Sequence, residues 1–211
     1  MIKLVHSWFP RRRSWFAVAG LMSSLALAGG VALAAGGSPN AGPVPPGEGT
    51  ALATTPGSAD LAAFGILRRE GTSTDAFSPR SPVALSGASG ANLALARRAV
   101  GFTSGEAWVV PGKGAVCLVA ESTTGPNGGA ACGEDSQVTL GRLMQIAHSA
   151  TAPGMQFVSG LVPDGVGSVS VHLADGTVDV LPVHENVYMG EVHGTVSSVS
   201  FSGPNGPVTN G

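Results

Sequence analysis

The chain has 211 residues, a formal net charge of −2, 32 Gly and 15 Pro, and only 11% charged residues. Four of its eleven cations (Lys3, Arg11, Arg12, Arg13) fall in the first thirteen positions, so the remainder carries seven Lys/Arg against thirteen Asp/Glu. A net-acidic body with 5% aromatics has neither the basic face nor the stacking platform that nucleic-acid binding needs.

The first 35 residues read as a signal peptide or an N-terminal transmembrane anchor. A basic head, "RRR", precedes the uncharged run Trp15–Ala35, about 32 Å long as a helix and so able to cross a hydrocarbon core of about 30 Å. The small-x-small triplet Ala32-Leu33-Ala34 offers a cleavage site between Ala34 and Ala35. Both fates, cleavage and retention, are open at this point. Either way the arginine cluster stays on the cytoplasmic side and everything after Gly36 is expected outside. Residues 36–58 contain eleven Gly or Pro in twenty-three positions, a composition expected of a disordered linker. Its reach is roughly 25 Å as a coil and about 70 Å extended.

Residues 59–207 are expected to form an extracytoplasmic α+β domain, with short helices packed on a mainly antiparallel sheet. "SADLAAFGILRRE" (58–70) predicts a helix with Ser58 as N-cap, an apolar stripe of Leu61, Phe64 and Leu67, and Arg68-Arg69 in its last turn. "ANLALARRAV" (91–100) predicts a second helix capped by Asn92 and ending at Arg97-Arg98. The two Arg pairs suit solvated helix ends, with an anionic-ligand clamp as the functional alternative. A third helix is expected around 136–148, and strands at 106–110, 114–121, 156–162, 185–189 and 197–203.

"SVSVHLADGTVDVLPV" (168–183) predicts a hairpin closed by a two-residue Asp175-Gly176 loop. That register places His172 opposite Asp179 on one face, and Val171, Leu173, Val178 and Val180 together on the other.

Cys117 and Cys132 are the two cysteines, fifteen positions apart. In an oxidising compartment they are expected to form one structural disulfide, worth about 3 kcal/mol by loop closure. No C-x-x-C motif supports a redox or metal role. "HENVYMGEVH" carries His184, Glu185, Glu191 and His193, but its histidines are nine apart with Gly190 between, unlike the H-E-x-x-H helix of a zinc protease. His172 and Asp179 could form the orienting half of a catalytic triad. No G-x-S-x-G elbow, Walker A loop or G-x-G-x-x-G accompanies them. No carboxylate pair stands in an apolar setting of the kind glycosidases need, and Glu134-Asp135 read as helix-start acids. No catalytic residue, cofactor site or metal site is therefore nominated.

"LAAFGILRRE", "LALARRAVGFTSGEAWVVPGKGAVCLVAE", "LVPDGV", the DG hairpin, "NVY" and "FSGPNGP" together resemble uncharacterised exported proteins of high-GC Gram-positive bacteria, over residues 59–207. The chain departs from that pattern in lacking the Pro that often follows "LRR". The resemblance implies a location and a layout, and no ligand. The expectation is a secreted or membrane-tethered protein, a non-enzymatic binding module for a cell-envelope component. A hydrolase with a diffuse site at His172, Asp179 and His184 is the alternative, and a purely structural exported protein a third reading.

Overall fold

A computed structural model describes residues 55–80, 85, 90–125, 127–149 and 152–211. The leader, Ala34 and Ala35, and most of the Gly/Pro-rich segment lie outside the described residues.

The expected α+β class is overturned. The described chain is mostly β, built from two antiparallel sheets. The first sheet runs β1 (Arg97–Ala99), β2 (Gly105–Pro111), β3 (Ala115–Ser122), β4 (Gly128–Glu134) in that order. The second contains β5 (Leu143–His148), β6 (Met155–Leu161), β7 (Ser168–Leu173), β8 (Val178–His184), β9 (Val187–His193), β10 (Val196–Gly203) and β11 (Gly206–Asn210). Its order is β11-β10-β7-β8-β9-β6-β5. Among the described residues the α-helices are short: α1 (Ser58–Ala63), α2 (Gly65–Arg68) and α3 (Asp135–Val138).

Each failed helix has a local cause. The 58–70 helix breaks at Phe64, which turns extended (φ −125°, ψ 110°) and buries its ring completely. Burying such a side chain is worth roughly 1.5–3 kcal/mol, and the helical hydrogen bonds given up are replaced. The freed Gly65 and Ile66 N–H groups donate to Asp164 Oδ1 (2.8 Å) and Asn186 Oδ1 (3.0 Å). Ser58 is the first helical residue, with Gly57 as N-cap. In 91–100, Asn92 caps only a 3-10 turn at Leu93–Leu95, and Arg97–Ala99 pair with Val109–Ala107 as a strand. The third helix stops at Val138; Gly141, at φ 74°, turns the chain into β5.

Three apolar layers result. Ala107, Val109, Leu118 and Ala120 of the first sheet meet Phe157, Leu161, Val187 and Met189 of β6 and β9, with Phe64, Ile66 and Leu67 closing one side. The opposite face of β6 and β9 supplies Val158, Tyr188 and Val192 to a second layer with Val169, Val171, Val199 and Phe201. The second sheet thus folds back on itself. β8 makes the corner: Val178–Pro182 pair with β7, while Val183 and His184 pair with β9. Trp108, Val110 and Val119 form a third layer on the far face of the first sheet, under Phe77 and Leu85. β3 is therefore apolar at both parities, as a strand covered on both sides must be. Gly160 is obligatory opposite Tyr188, because a Cβ there would lie 2.2 Å from the phenol oxygen.

Cys117 and Cys132 stand directly opposite each other on β3 and β4 and are joined by a disulfide (S–S 2.09 Å). Among the described residues, no helix is long and apolar enough to cross a membrane.

Candidate functional site

The 168–183 hairpin forms, but one residue out of the expected register. Gly176 N–H donates to Leu173 O (3.0 Å) and Leu173 N–H to Thr177 O (2.9 Å), which makes Ala174-Asp175-Gly176 a three-residue loop. Gly176 takes φ 87°, and Asp175 Oδ1 accepts the Thr177 N–H (2.9 Å) and hydroxyl (2.7 Å). This is the turn followed by a left-handed glycine that closes three-residue hairpins. A slip of one residue exchanges the faces of a strand. Val178, not Asp179, stands opposite His172, and Asp179 stands opposite Val171 on the other face. The His172–Asp179 pair is thus separated by the sheet. Val178 and Val180 are left 49% and 63% exposed.

The exposed face of β7, β10 and β11 is a field of hydroxyls. Ser170 stands opposite Ser200, and Ser200 opposite Thr209. Ser168 and Ser202 continue the rows to the edge of a groove of about 590 Å³. No carboxylate or ammonium group lines it. His172 sits at one end of these rows, its Nε2 2.8 Å from Ser200 Oγ, and its carbonyl accepts the Ser197 hydroxyl (2.9 Å). The site offers many neutral donors and acceptors at strand spacing and one imidazole. Neither Asp179 nor His184 joins it: His184 stacks edge-on against Phe102 (5.2 Å) at the β8–β9 turn.

The remaining sequence-nominated groups serve the frame. Glu185 and Asn186 form a tight turn with positive φ at both positions (46° and 69°), a conformation that costs energy unless surrounding contacts over-determine it. Here they do. Glu185 pairs with Arg69 (3.2 Å) and accepts the Val100 N–H (2.9 Å), while Asn186 donates to Val162 O (3.2 Å) and Asp164 Oδ1 (2.8 Å). Glu191 accepts from the Ser122 hydroxyl (2.9 Å) and from Thr124. His193 is exposed at the end of β9. Among the described residues, no three of His, Cys, Asp and Glu converge as a metal ion would require.

The Arg pairs are not free solvated ends. Arg68 binds Asp164 (2.5 Å), Arg98 binds Glu106, and Arg97 donates to backbone carbonyls of Arg69 (3.0 Å) and Ala96 (2.9 Å). Arg69 grips Asp75 through two nitrogens (2.9 and 2.8 Å). Burial alone would raise the Asp75 carboxyl. The bonds from Arg69 and from the Thr72 and Arg98 N–H groups outweigh it and hold the carboxyl well below the usual range.

A carboxyl pair does exist, contrary to the sequence reading. Asp60 of α1 and Asp135, the first residue of α3, lie against each other over Gly57. They are separated by 75 positions, and no local pattern could have announced their meeting. Burial is the chief cause that pushes Asp60 up to about 6, with the Asp135 charge adding to it.

The fold and these contacts define a disulfide-bearing, all-antiparallel β domain with one neutral, hydroxyl-lined face. Compared with protein-family models, with curated proteins and with solved structures, the chain matches none.

Proposed function

We propose that this chain is an extracytoplasmic protein, secreted or tethered by its N-terminal segment, whose β domain is a non-enzymatic module that binds a cell-envelope component. The observation that carries the reading is the groove across β7, β10 and β11, where Ser168, Ser170, Ser200, Ser202 and Thr209 alternate with Val166, Phe201, Pro207 and Val208 and no charged group takes part. Such a surface suits a neutral polymer rich in hydroxyl or amide groups. It offers paired donors and acceptors and no ionic contact, so binding there would resist salt. The basic head of the leader and the disulfide support the location, since such bridges persist mainly outside the reducing cytosol. The resemblance to exported proteins points the same way.

The hydrolase reading keeps one favourable contact, His172 with Ser200 at 2.8 Å. Against it, the carboxylate that would orient the imidazole lies on the other face of the sheet.

Sedimentation with insoluble envelope tests both. Each lost hydrogen bond is worth about 0.5–1.5 kcal/mol, so the double variant Ser170→Ala/Ser200→Ala should bind about tenfold more weakly, with stability lowered only by the loss of the His172–Ser200 bond, about 1 kcal/mol. Equal retention of wild type and variant refutes the module. Covalent labelling of Ser200 by a fluorophosphonate probe would favour the hydrolase instead.

A further inference from the structure

The Asp60–Asp135 contact has a geometry that only a proton completes. Asp60 is fully buried; neither of its oxygens completes a hydrogen bond, and the Gly57 N–H that faces its carboxyl only partly offsets the cost of burial. Asp135 Oδ1 is likewise buried without a donor. Both carboxyls close over the bare Cα of Gly57: a Cβ there would stand 3.2 Å from Asp60 Oδ2 and 3.7 Å from Asp135 Oδ2. Two ionised carboxylates in contact repel, and burial strengthens the repulsion; with one proton between them, an O–H of one donates to an oxygen of the other.

The charged groups on neighbouring elements do not relieve the pair. Arg68 of α2 is committed to Asp164 (2.5 Å) and to the Leu61 carbonyl (2.6 Å). Arg142, after α3, donates to Gln137 Oε1 (3.1 Å). Glu134, the N-cap of α3, is exposed, and Asp164 is already ion-paired.

We propose that Asp60 and Asp135 are a proton-operated latch, clasping α1 to α3 in mildly acidic surroundings and releasing α1 as the pH rises. Behind it, Phe64 stays buried and Asp164 N–H still holds the Ala63 carbonyl (2.9 Å). Release is therefore confined to residues 57–62, before the held Ala63 carbonyl.

The direction follows from linkage. The carboxyl of Asp60 sits above its ordinary value in the closed state, at about 6. Its contribution is complete below the ordinary carboxylate range near 4 and is lost as pH rises through about 6. Between pH 5 and pH 8 the opening equilibrium should shift about tenfold, the one unit that separates pH 5 from the closed-state value.

Hydrogen exchange on the full chain, corrected for the intrinsic pH dependence of exchange, reads this directly. Protection of the Leu61 and Phe64 amides should fall about tenfold from pH 5 to pH 8 while that of β6 stays constant. In Asp60→Asn the amide donates without a proton, so protection of α1 should be independent of pH and high throughout; in Asp135→Asn, where the buried Asp60 still titrates but gains an amide donor, the fall should be smaller than in the wild type. Overturning results are pH-independent protection in the wild type, the same fall in both variants, or full recovery at pH 8 on adding millimolar calcium chloride. The last would make the occupant a cation.

Discussion

Replacing Asp75 with alanine removes the acceptor on which three segments converge. Its carboxylate takes both Arg69 nitrogens (2.9 and 2.8 Å), the Thr72 N–H (2.7 Å) and hydroxyl (2.9 Å), and the Arg98 N–H (2.9 Å) at the start of β1. Asp75 is 5% exposed and Arg69 30%. Removing one partner of a buried pair costs about 3–5 kcal/mol, because the other is left buried and uncompensated. Arg69 keeps some water and retains Glu185 at 3.2 Å, so the lower end applies. The expected loss is about 3 kcal/mol, or roughly 6–12 °C in Tm for a domain of this size. Urea unfolding of wild type and Asp75→Ala at pH 7, disulfide intact, measures it.

The pH dependence is a second readout on the same variant. A carboxyl held below its ordinary value stabilises the fold above that value, and the gain is lost as pH falls through the depressed one. Wild-type stability should decline steadily below about pH 5, and Asp75→Ala should lack that share of the decline. A loss under about 1 kcal/mol, or an unchanged acid slope, would refute the view that this carboxylate holds Arg69, Thr72 and the start of β1 together.

Two further outcomes are expected. Tyr188→Phe should stabilise by about 1 kcal/mol, since the phenol oxygen is buried without a partner and its removal abolishes a desolvation cost; thermal melts showing a loss instead would mean the hydroxyl is satisfied by a bound water. Cys117→Ala/Cys132→Ala should lower stability by about 3 kcal/mol, and reduction of the wild type should reproduce the same shift in urea. Non-reducing mass spectrometry would show the bridge as a mass two hydrogens short of the free dithiol.

Much of the strand content was legible because β2, β3, β6, β7 and β10 are short apolar or alternating runs bounded by Gly, Pro and Asp-Gly turns. Helix periodicity misled at 91–100 and 136–148. "LALARRA" has good helix formers, but pairing Arg97–Ala99 with β2 buries Ala99 and satisfies the backbone in the sheet. The strand β4, "GGAACGE", carries no strand signal in its composition. It is a strand because β3 offers it a complete ladder and a disulfide partner.

The hairpin register lay beyond pattern reading. In "VDVLPV" both parities are apolar, Val178 and Val180 against Leu181 and Val183, so hydrophobicity does not choose between registers. The loop chooses, through the side-chain bonds of Asp175 to Thr177 and the left-handed Gly176. That choice splits His172 from Asp179 and sets His172 beside Ser200. Local composition did determine the turn glycines and the strands β2, β3, β6, β7 and β10, because each rests on the conformational range of a few consecutive residues; the cysteine pairing was legible because the chain has only two cysteines. Tertiary structure alone decided which carboxyls meet, which arginines are neutralised and which serines share a face. Those contacts join positions up to 120 apart, and their free energy comes from burial that exists only once the sheets have closed.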